Sequence, residues 1–296
     1  DLSSTSIFAA QDKLNSGGKA LTAPAGGKLL TADYKAPFVH QAMMEPFAMT
    51  AHFKDGKLEA WGGMQDPLST RMKLAKFAGI SLDDVTFHPL IMGGGFGRRF
   101  PDYTQIIEQI ALVAKQVPHP VKLIWSREQE VQHGAYRPQV AARLQAGLSA
   151  DGKIAAWTSD YAQHNDARKE GTVPYTIPAF EARHHKYISN QVDAYFRSVD
   201  ASQHGFFNES FVDELAHAAG EDPYQFRRKH LPSGGRHLKV LDEVARLGGW
   251  GTPLPQGTGR GIALVQSFGT IVGEVIEARL REDGYPQVLK ATAVVD

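Results

Sequence analysis

The sequence predicts an α+β fold, and three observations carry that reading. Strand-like runs pair across Asp-Gly turns, at Asp55-Gly56, Asp151-Gly152 and Asp283-Gly284. Such turns need residues that accept positive φ, and they make hairpins instead of crossovers. Helical segments stand apart from these hairpins, and no regular strand–helix–strand winding runs along the chain. Length and composition agree: 296 residues, 42% hydrophobic and 22% charged, suit a globular chain with ample core and exclude global disorder.

The elements follow in order. Residues 1–34 are rich in Ser, Gly, Ala and Lys and read as partly irregular, with one short helix near Ile7 to Leu14. Ala48–Phe53 and Leu58–Gln65 flank the first Asp-Gly turn. Pro67–Phe77 reads as a helix that opens on Pro and closes at Gly79. Asp84–Met92 is a strand signal, followed by Gly93-Gly94-Gly95-Phe96-Gly97 and Arg98-Arg99. Tyr103–Val117 carries Ile106, Ile107, Ile110, Ala111 and Val113 near the 3.6-residue period, and Pro118 and Pro120 end it. Val121–Trp125 is a buried-type strand. Val140–Leu148 and Lys153–Tyr161 form the second hairpin. His164–Ala194 reads as irregular, with a basic knot at Arg183-His184-His185-Lys186. Helices follow over Phe207–Ala219, from Asp222-Pro223, and over His237–Leu247, with a linker candidate at Ser233-Gly234-Gly235. Ile271–Leu280 and Pro286–Val295 close the chain as a strand pair.

Several chemistries drop out early. Thirty-two Lys+Arg balance 32 Asp+Glu, which argues against a nucleic-acid partner. The absence of cysteine excludes disulfides, cysteine zinc sites, thiol nucleophiles and an iron–sulfur cluster held by this chain. No apolar run reaches the ~18–20 residues of a membrane helix. The glycine cluster lacks the G-x-G-x-x-G spacing of dinucleotide folds and the Gly-Lys-Ser/Thr of a P-loop. No H-E-x-x-H or G-x-S-x-G occurs. The cluster itself fits two readings: a tight strand-to-helix turn, or a backbone cradle whose N–H groups meet an anion. Gln65 either caps a turn or donates its amide into a cleft. Arg197, within Tyr195–Val199, is one positive charge in an apolar-aromatic run, for which the plain structural reading is a partly buried salt bridge.

Taken together, the order of motifs resembles a known family. It runs Tyr34–Phe47 (YKAPFVHQAMMEPF), Gly63-Met64-Gln65, Met92–Arg99 (MGGGFGRR), Trp125–Arg127 (WSR), His133–Pro138 (HGAYRP), Phe196–Gln203 (FRSVDASQ) and Glu209–Leu215 (ESFVDEL). From about Asp33 to the end, the series resembles the large, molybdopterin-binding subunit of the xanthine oxidase family. The branch it resembles is that of the isoquinoline 1-oxidoreductase beta subunit.

The resemblance implies a molybdenum-cofactor-binding domain of the aldehyde oxidoreductase type, with mixed sheets and flanking helices. Its segments would be a leading piece at 1–34, a first cofactor-binding domain at 35–232, and the start of a second, cut short, at 236–296. It implies molybdopterin, in the cytosine dinucleotide form, with molybdenum held by the pterin and by no protein side chain. Gln65, Gly93, Gly94, Gly95, Phe96, Gly97, Arg197 and Gln203 would then face the cofactor. The implied reaction is oxidative hydroxylation of an aldehyde or N-heterocyclic aromatic substrate with water as oxygen source. Implied partners are a small [2Fe-2S] subunit and a cytochrome c acceptor. By family analogy the location is periplasmic or inner-membrane-associated, with cytoplasmic as the alternative.

Two departures qualify this. Where xanthine and aldehyde oxidases continue GGGFG with Gly-Lys-Glu, this chain has Arg98-Arg99-Phe100, which removes purines from the expected substrates. The two arginines would meet an acidic substrate or a cofactor phosphate, or pair with nearby acids. The branch's Glu-Met-Gly-Gln-Gly motif and the Gly-x-Gly-Glu segment with the catalytic glutamate do not occur, and Gly273-Glu274 falls within a strand signal. The expectation is therefore a central fragment, inactive and without bound cofactor when isolated. The alternative is a naturally shortened, catalytically dead binding or assembly module.

Overall fold

The computed structural model describes residues 3–18, 20–167, 169 and 171–296. Asp1 and Leu2, and Arg168 and Glu170 in the stretch expected to be irregular, lie outside the described residues. In chain order the elements begin with α1 (Ser4–Asn15), β1 (Lys28–Ala36), β2 (Ala48–Lys54), β3 (Lys57–Gly62), α2 (Pro67–Ala78) and β4 (Val85–Pro89). Next come α3 (Gln105–Ala114), β5 (Val121–Ile124), α4 (Arg127–His133), β6 (Val140–Leu148), β7 (Ile154–Gln163) and β8 (Ala179–Lys186). The chain continues with α5 (Ala201–Ala219), α6 (Pro223–His230), α7 (Arg236–Leu247), β9 (Thr258–Ser267), β10 (Thr270–Leu280) and β11 (Pro286–Val295). The class is α+β, as expected.

Two compact units emerge, interleaved along the sequence. One comprises residues 1–36, 140–188 and 200–296; the other comprises 37–139 and 189–199. The units cut across the segments 1–34, 35–232 and 236–296, because β1 pairs antiparallel with the distant β6.

The first unit holds the sheet β1-β6-β7-β8, in which only β7–β8 is parallel, and the antiparallel sheet β11-β10-β9. Ala142, Leu144, Ala146 and Leu148 of β6 alternate into one core with Trp157, Phe207, Phe211 and Leu215. Its other face lies under α1, whose Gln11 and Asn15 donate to the carbonyls of Ala162 and Ala141, each at 2.9 Å. Asp222 caps α6 by accepting from the Gln225 N–H, and Pro223 pre-sets the first turn.

The second unit holds the sheet β4-β3-β2-β5, with β3–β4 parallel and the other pairs antiparallel. Its core joins Met49, Ala51, Leu58 and Ala60 of the hairpin to Leu74 of α2 and Ile106, Ile107 and Ile110 of α3. Asp66 caps α2, and Gly79 ends it in the left-handed region at φ 67°. Both ends of α2 therefore follow from its sequence.

Four elements depart from expectation. β1 falls in the stretch expected to be irregular, although Leu30, Ala32 and Tyr34 alternate toward the first unit's core. α4 has no counterpart in the sequence reading; Ser126 caps it, its hydroxyl accepting from the Gln129 N–H. β8 also lies in an expected irregular stretch, yet its basic knot is neutralised in part by Asp160, which Arg183 grips through two nitrogens at 2.9 and 2.6 Å. β9 hides behind Gly259 and Gly261, residues that weaken a strand signal. Two strand signals also run long, since β3 stops at Gly62 and β4 at Pro89. Gln65 and the glycine cluster are thus loop residues.

Candidate functional site

Gln65 and residues 93–99 meet at one end of the second unit's sheet. The parallel pair β3–β4 ends in register, Gly62 opposite Pro89, so the two chains leave the sheet side by side. The Leu90 N–H still donates to Gly62 O at 3.0 Å. Beyond that point the approach is close. A Cβ on Gly63 would lie 2.6 Å from Met92 Cβ, and one on Gly95 would lie 2.6 Å from Gln65 Oε1. Glycine at 95 is what lets the Gln65 side chain lie against the loop.

The loop folds back through two turns, with the Arg98 N–H donating to Gly95 O at 2.9 Å and the Phe100 N–H to Gly97 O at 3.2 Å. Gly97 has φ +95°, and a Cβ there would lie 2.5 Å from Tyr195 O. Phe96 also takes the left-handed region, at φ 54°, with its ring partly exposed.

Gln65 is fixed twice. Its N–H donates to Arg99 O at 3.1 Å, and its Oε1 accepts from the Gly97 N–H at 3.0 Å. With the carbonyl end held, the Nε2 amide keeps both of its protons for another acceptor. The N–H groups of Gly94, Gly95 and Phe96 also have no acceptor among the described residues. Gly93 differs, for its N–H donates to Glu45 Oε2 at 2.6 Å.

Arg197 is exposed and makes no ion pair among the described residues. Its guanidinium lies 5.8 Å from the centroids of both Phe96 and Phe196, so stacking orients a cation that remains available. The partly buried salt bridge is not found at Arg197 among the described residues.

Arg98 and Arg99 require a correction. Both are 0% exposed, so neither guanidinium reaches a substrate acid or a cofactor phosphate. Arg98 donates to Tyr103 O and, at 2.9 Å, to Gln105 Oε1. Arg99 donates to Gly63 O at 2.9 Å and Glu45 O at 2.8 Å, and meets Glu45 Oε2 at 3.2 Å. Pairing with a nearby acid describes Arg99 alone. Burial lowers the Arg98 pKa to about 10, which still leaves it charged at neutral pH.

Gln203 sits in the first unit, buried at the start of α5. Its Nε2 donates to Asp200 Oδ1 at 3.2 Å and its Oε1 accepts from Ser202 Oγ at 2.6 Å. Its carboxamide is engaged locally, unlike that of Gln65. A cavity of about 490 Å³ beside Asn208, Glu209 and Val265 also belongs to the first unit and contains none of the expected residues. Glu45 and Tyr195, which shape the loop, are not marked by the sequence. Both lie in or beside the motif series, but no spacing rule marks a carboxylate that meets a backbone N–H 48 residues away.

Comparisons with known proteins show the family of the chain. Residues 9–231 match the family described as "Molybdopterin cofactor-binding domain". The chain belongs to that family. Among its relatives is the beta subunit of the isoquinoline 1-oxidoreductase of Brevundimonas diminuta, 31% identical over 244 residues, covering 74% of this chain and 30% of that protein. A nicotinate dehydrogenase subunit of Pseudomonas putida is 26% identical over 246 residues, covering 75% of this chain and 20% of that protein. The solved aldehyde oxidoreductase of Desulfovibrio gigas shares the fold, with a TM-score of 0.68 at 20% identity over 97% of this chain and 34% of that one. The chain therefore spans about a third or less of each of these relatives. Within this molybdopterin cofactor-binding domain, no helix among the described residues is long and apolar enough to cross a membrane.

Proposed function

We propose that this chain is part of the large subunit of a molybdenum hydroxylase, where it forms one wall of the molybdopterin site. The observation that carries the reading is the Gln65 carboxamide, pinned at Oε1 by the Gly97 N–H with Nε2 left to donate. Around it stand the unengaged amides of Gly94, Gly95 and Phe96 and the unpaired, stacked Arg197 guanidinium. This set consists of hydrogen-bond donors and one cation. It suits an oxyanionic cofactor that brings its own metal ligands, and the residues present fit molybdopterin. Gln65 would donate to an oxygen ligand of the metal, the loop amides would line the same side, and Arg197 would meet a phosphate. Gln203 fits less well, since its amide is already engaged.

When bound, the cofactor supplies the oxidation of a carbon centre with oxygen taken from water. This chain's residues hold and orient it and provide fixed dipoles. The base that the resemblance implies is not assigned to any of the 296 residues. The proposed substrate is an aldehyde or an electron-poor N-heterocyclic aromatic compound. The names of the isoquinoline and nicotinate relatives support the heterocycle, and the departure from Gly-Lys-Glu at Arg98-Arg99-Phe100 sets purines aside.

The same reading proposes the cytosine dinucleotide form of the cofactor, a [2Fe-2S] subunit with a cytochrome c acceptor, and a periplasmic or inner-membrane setting. Both relatives are named as subunits, which supports a multi-subunit assembly, and the motif series supports the branch. Residues 236–296 would begin a second cofactor-binding domain, in keeping with a family match that ends at 231.

The test is Gln65→Leu in the molybdenum-loaded enzyme that carries this sequence. Loss of one preorganised donor should lower kcat for an aldehyde or isoquinoline by about a hundredfold, with the fold unchanged by circular dichroism. Unaltered kcat would remove Gln65 from the site.

A further inference from the structure

Arg99 follows the glycine loop in sequence but lies wholly inside the second unit. It is 0% exposed, and its guanidinium carbon is 5.2 Å from the centroid of the Phe47 ring. A guanidinium taken out of water is held by the acceptors its planar fork can reach. Here the fork joins two segments that are distant in sequence. Nη1 donates to Gly63 O, just after β3, at 2.9 Å. Nη2 donates to Glu45 O, just before β2, at 2.8 Å, and meets Glu45 Oε2 at 3.2 Å and Pro46 O at 3.3 Å. Lysine would keep the charge but could not span residues 45 and 63 with one planar group.

The backbone of the same residue completes the junction. Arg99 O accepts the Gln65 N–H at 3.1 Å, so its side chain and its carbonyl grip the two ends of Gly63-Met64-Gln65. Gln65 Oε1 then takes the Gly97 N–H at 3.0 Å, two residues before Arg99. Residues 63–65 and 97–99 thereby close a ring of hydrogen bonds, and the Gln65 carboxamide is one member of it.

Glu45 ties the start of the glycine run to this ring. Its Oε2 accepts the Gly93 N–H at 2.6 Å, and its own N–H donates to Gly93 O at 3.3 Å. The approach is so close that a Cβ on Gly93 would lie 2.5 Å from Glu45 Cβ, which is why residue 93 is glycine. One carboxylate oxygen therefore serves both the Gly93 amide and the Arg99 fork. Burial lowers the Arg99 pKa, and the Glu45 carboxylate opposes that shift.

We propose that Arg99 is a positioning residue for Gln65, with Glu45 coupling its guanidinium to the glycine run. What Gln65 is positioned for rests on the cofactor reading above, but the clamp itself does not.

The test is hydrogen exchange of the Gly93 and Gly97 amides in the full chain, with the amides of Ile110, Ala111 and Ala114, buried in α3, as internal reporters of the same unit. Arg99→Lys should speed exchange at Gly97 by about tenfold more than at α3, because the fork is lost while the charge stays. If that buried variant does not fold, Glu45→Ala decides, since the Glu45 side chain is 43% exposed. Gly93 should then exchange faster for want of its acceptor. The deciding amide is Gly97, whose acceptor is Gln65 and not Glu45, so a rise there of severalfold beyond α3 is transmitted through Arg99. Glu45→Gln keeps an oxygen for the Gly93 N–H and the fork, and should recover most of the protection at both glycines. Gly97 exchange that stays unchanged, or that rises only in step with α3, would overturn the proposal. No cofactor enters this measurement, so failure to bind molybdopterin and failure of the clamp are separate results.

Discussion

A glutamine amide can turn either end toward a ligand, and here the backbone makes the choice. The Gly97 N–H takes Gln65 Oε1, and only glycine at 95 leaves room for the arrangement. Gly95→Ala should push the Gln65 carboxamide aside, lowering turnover as Gln65→Leu does while leaving Gln65 in the sequence. A matching kcat loss in the two variants checks this. Gly97→Ala meets both a left-handed backbone and the Tyr195 carbonyl, and should cost about 1–3 kcal/mol in urea unfolding. At this scale the sequence is informative where chemistry is written as residue type: the glycines and the amide beside them. It misleads at Arg98 and Arg99, because arginine is ordinarily solvated and nothing local announces that Phe47 lies under both, with Glu45 beside Arg99. At Gln203 the residue type alone does not show what the amide does, since Asp200 and Ser202 engage it.

Among the elements, α5 and α6 are joined by a buried ionic network. Arg227 donates through Nε to Glu209 Oε2 at 2.9 Å and through Nη1 to Asp213 Oδ1 at 2.5 Å. Glu209 also accepts from the Tyr175 hydroxyl and from the Leu264 N–H on β9, both at 2.8 Å. Removing the cation leaves Glu209 buried and unanswered, so Arg227→Met should destabilise the first unit by about 3–5 kcal/mol in urea denaturation. Elements with local signals are legible: the Asp-Gly hairpins, the Asp-Pro starts of α2 and α6, and the isoleucine stripe of α3. Those missed depend on distant partners. β8 exists through parallel pairing with β7, and β1 through β6. Within that pairing, Asp160 answers Arg183 and His185 of the basic knot.

At the scale of the whole molecule, one buried histidine gives stability a pH dependence. Burial lowers the His204 pKa from 6.5 to about 4, and its ring stands edge-on to Tyr161. The unfolded chain therefore binds a proton that the folded chain refuses between those values. Stability is full above pH 6.5 and falls as pH drops toward 4, by on the order of 3 kcal/mol. His230, lowered in the same direction by burial, adds to this loss. Unfolding free energies measured across that pH range should rise with pH, and His204→Phe should flatten part of that slope. The fold class and family are legible because seven motifs keep their order over most of the chain. The interleaving of two compact units is not, since it depends on β1 returning to β6.

Whether this chain helps build a molybdopterin site is tested most directly by measuring molybdenum and pterin together. The protein to use is the large subunit that carries this sequence, purified from a host that makes the cofactor. Stoichiometric molybdenum and pterin are expected, with Gln65→Leu losing turnover. A well-folded subunit holding neither would contradict the assignment and leave the shortened binding or assembly module as the reading.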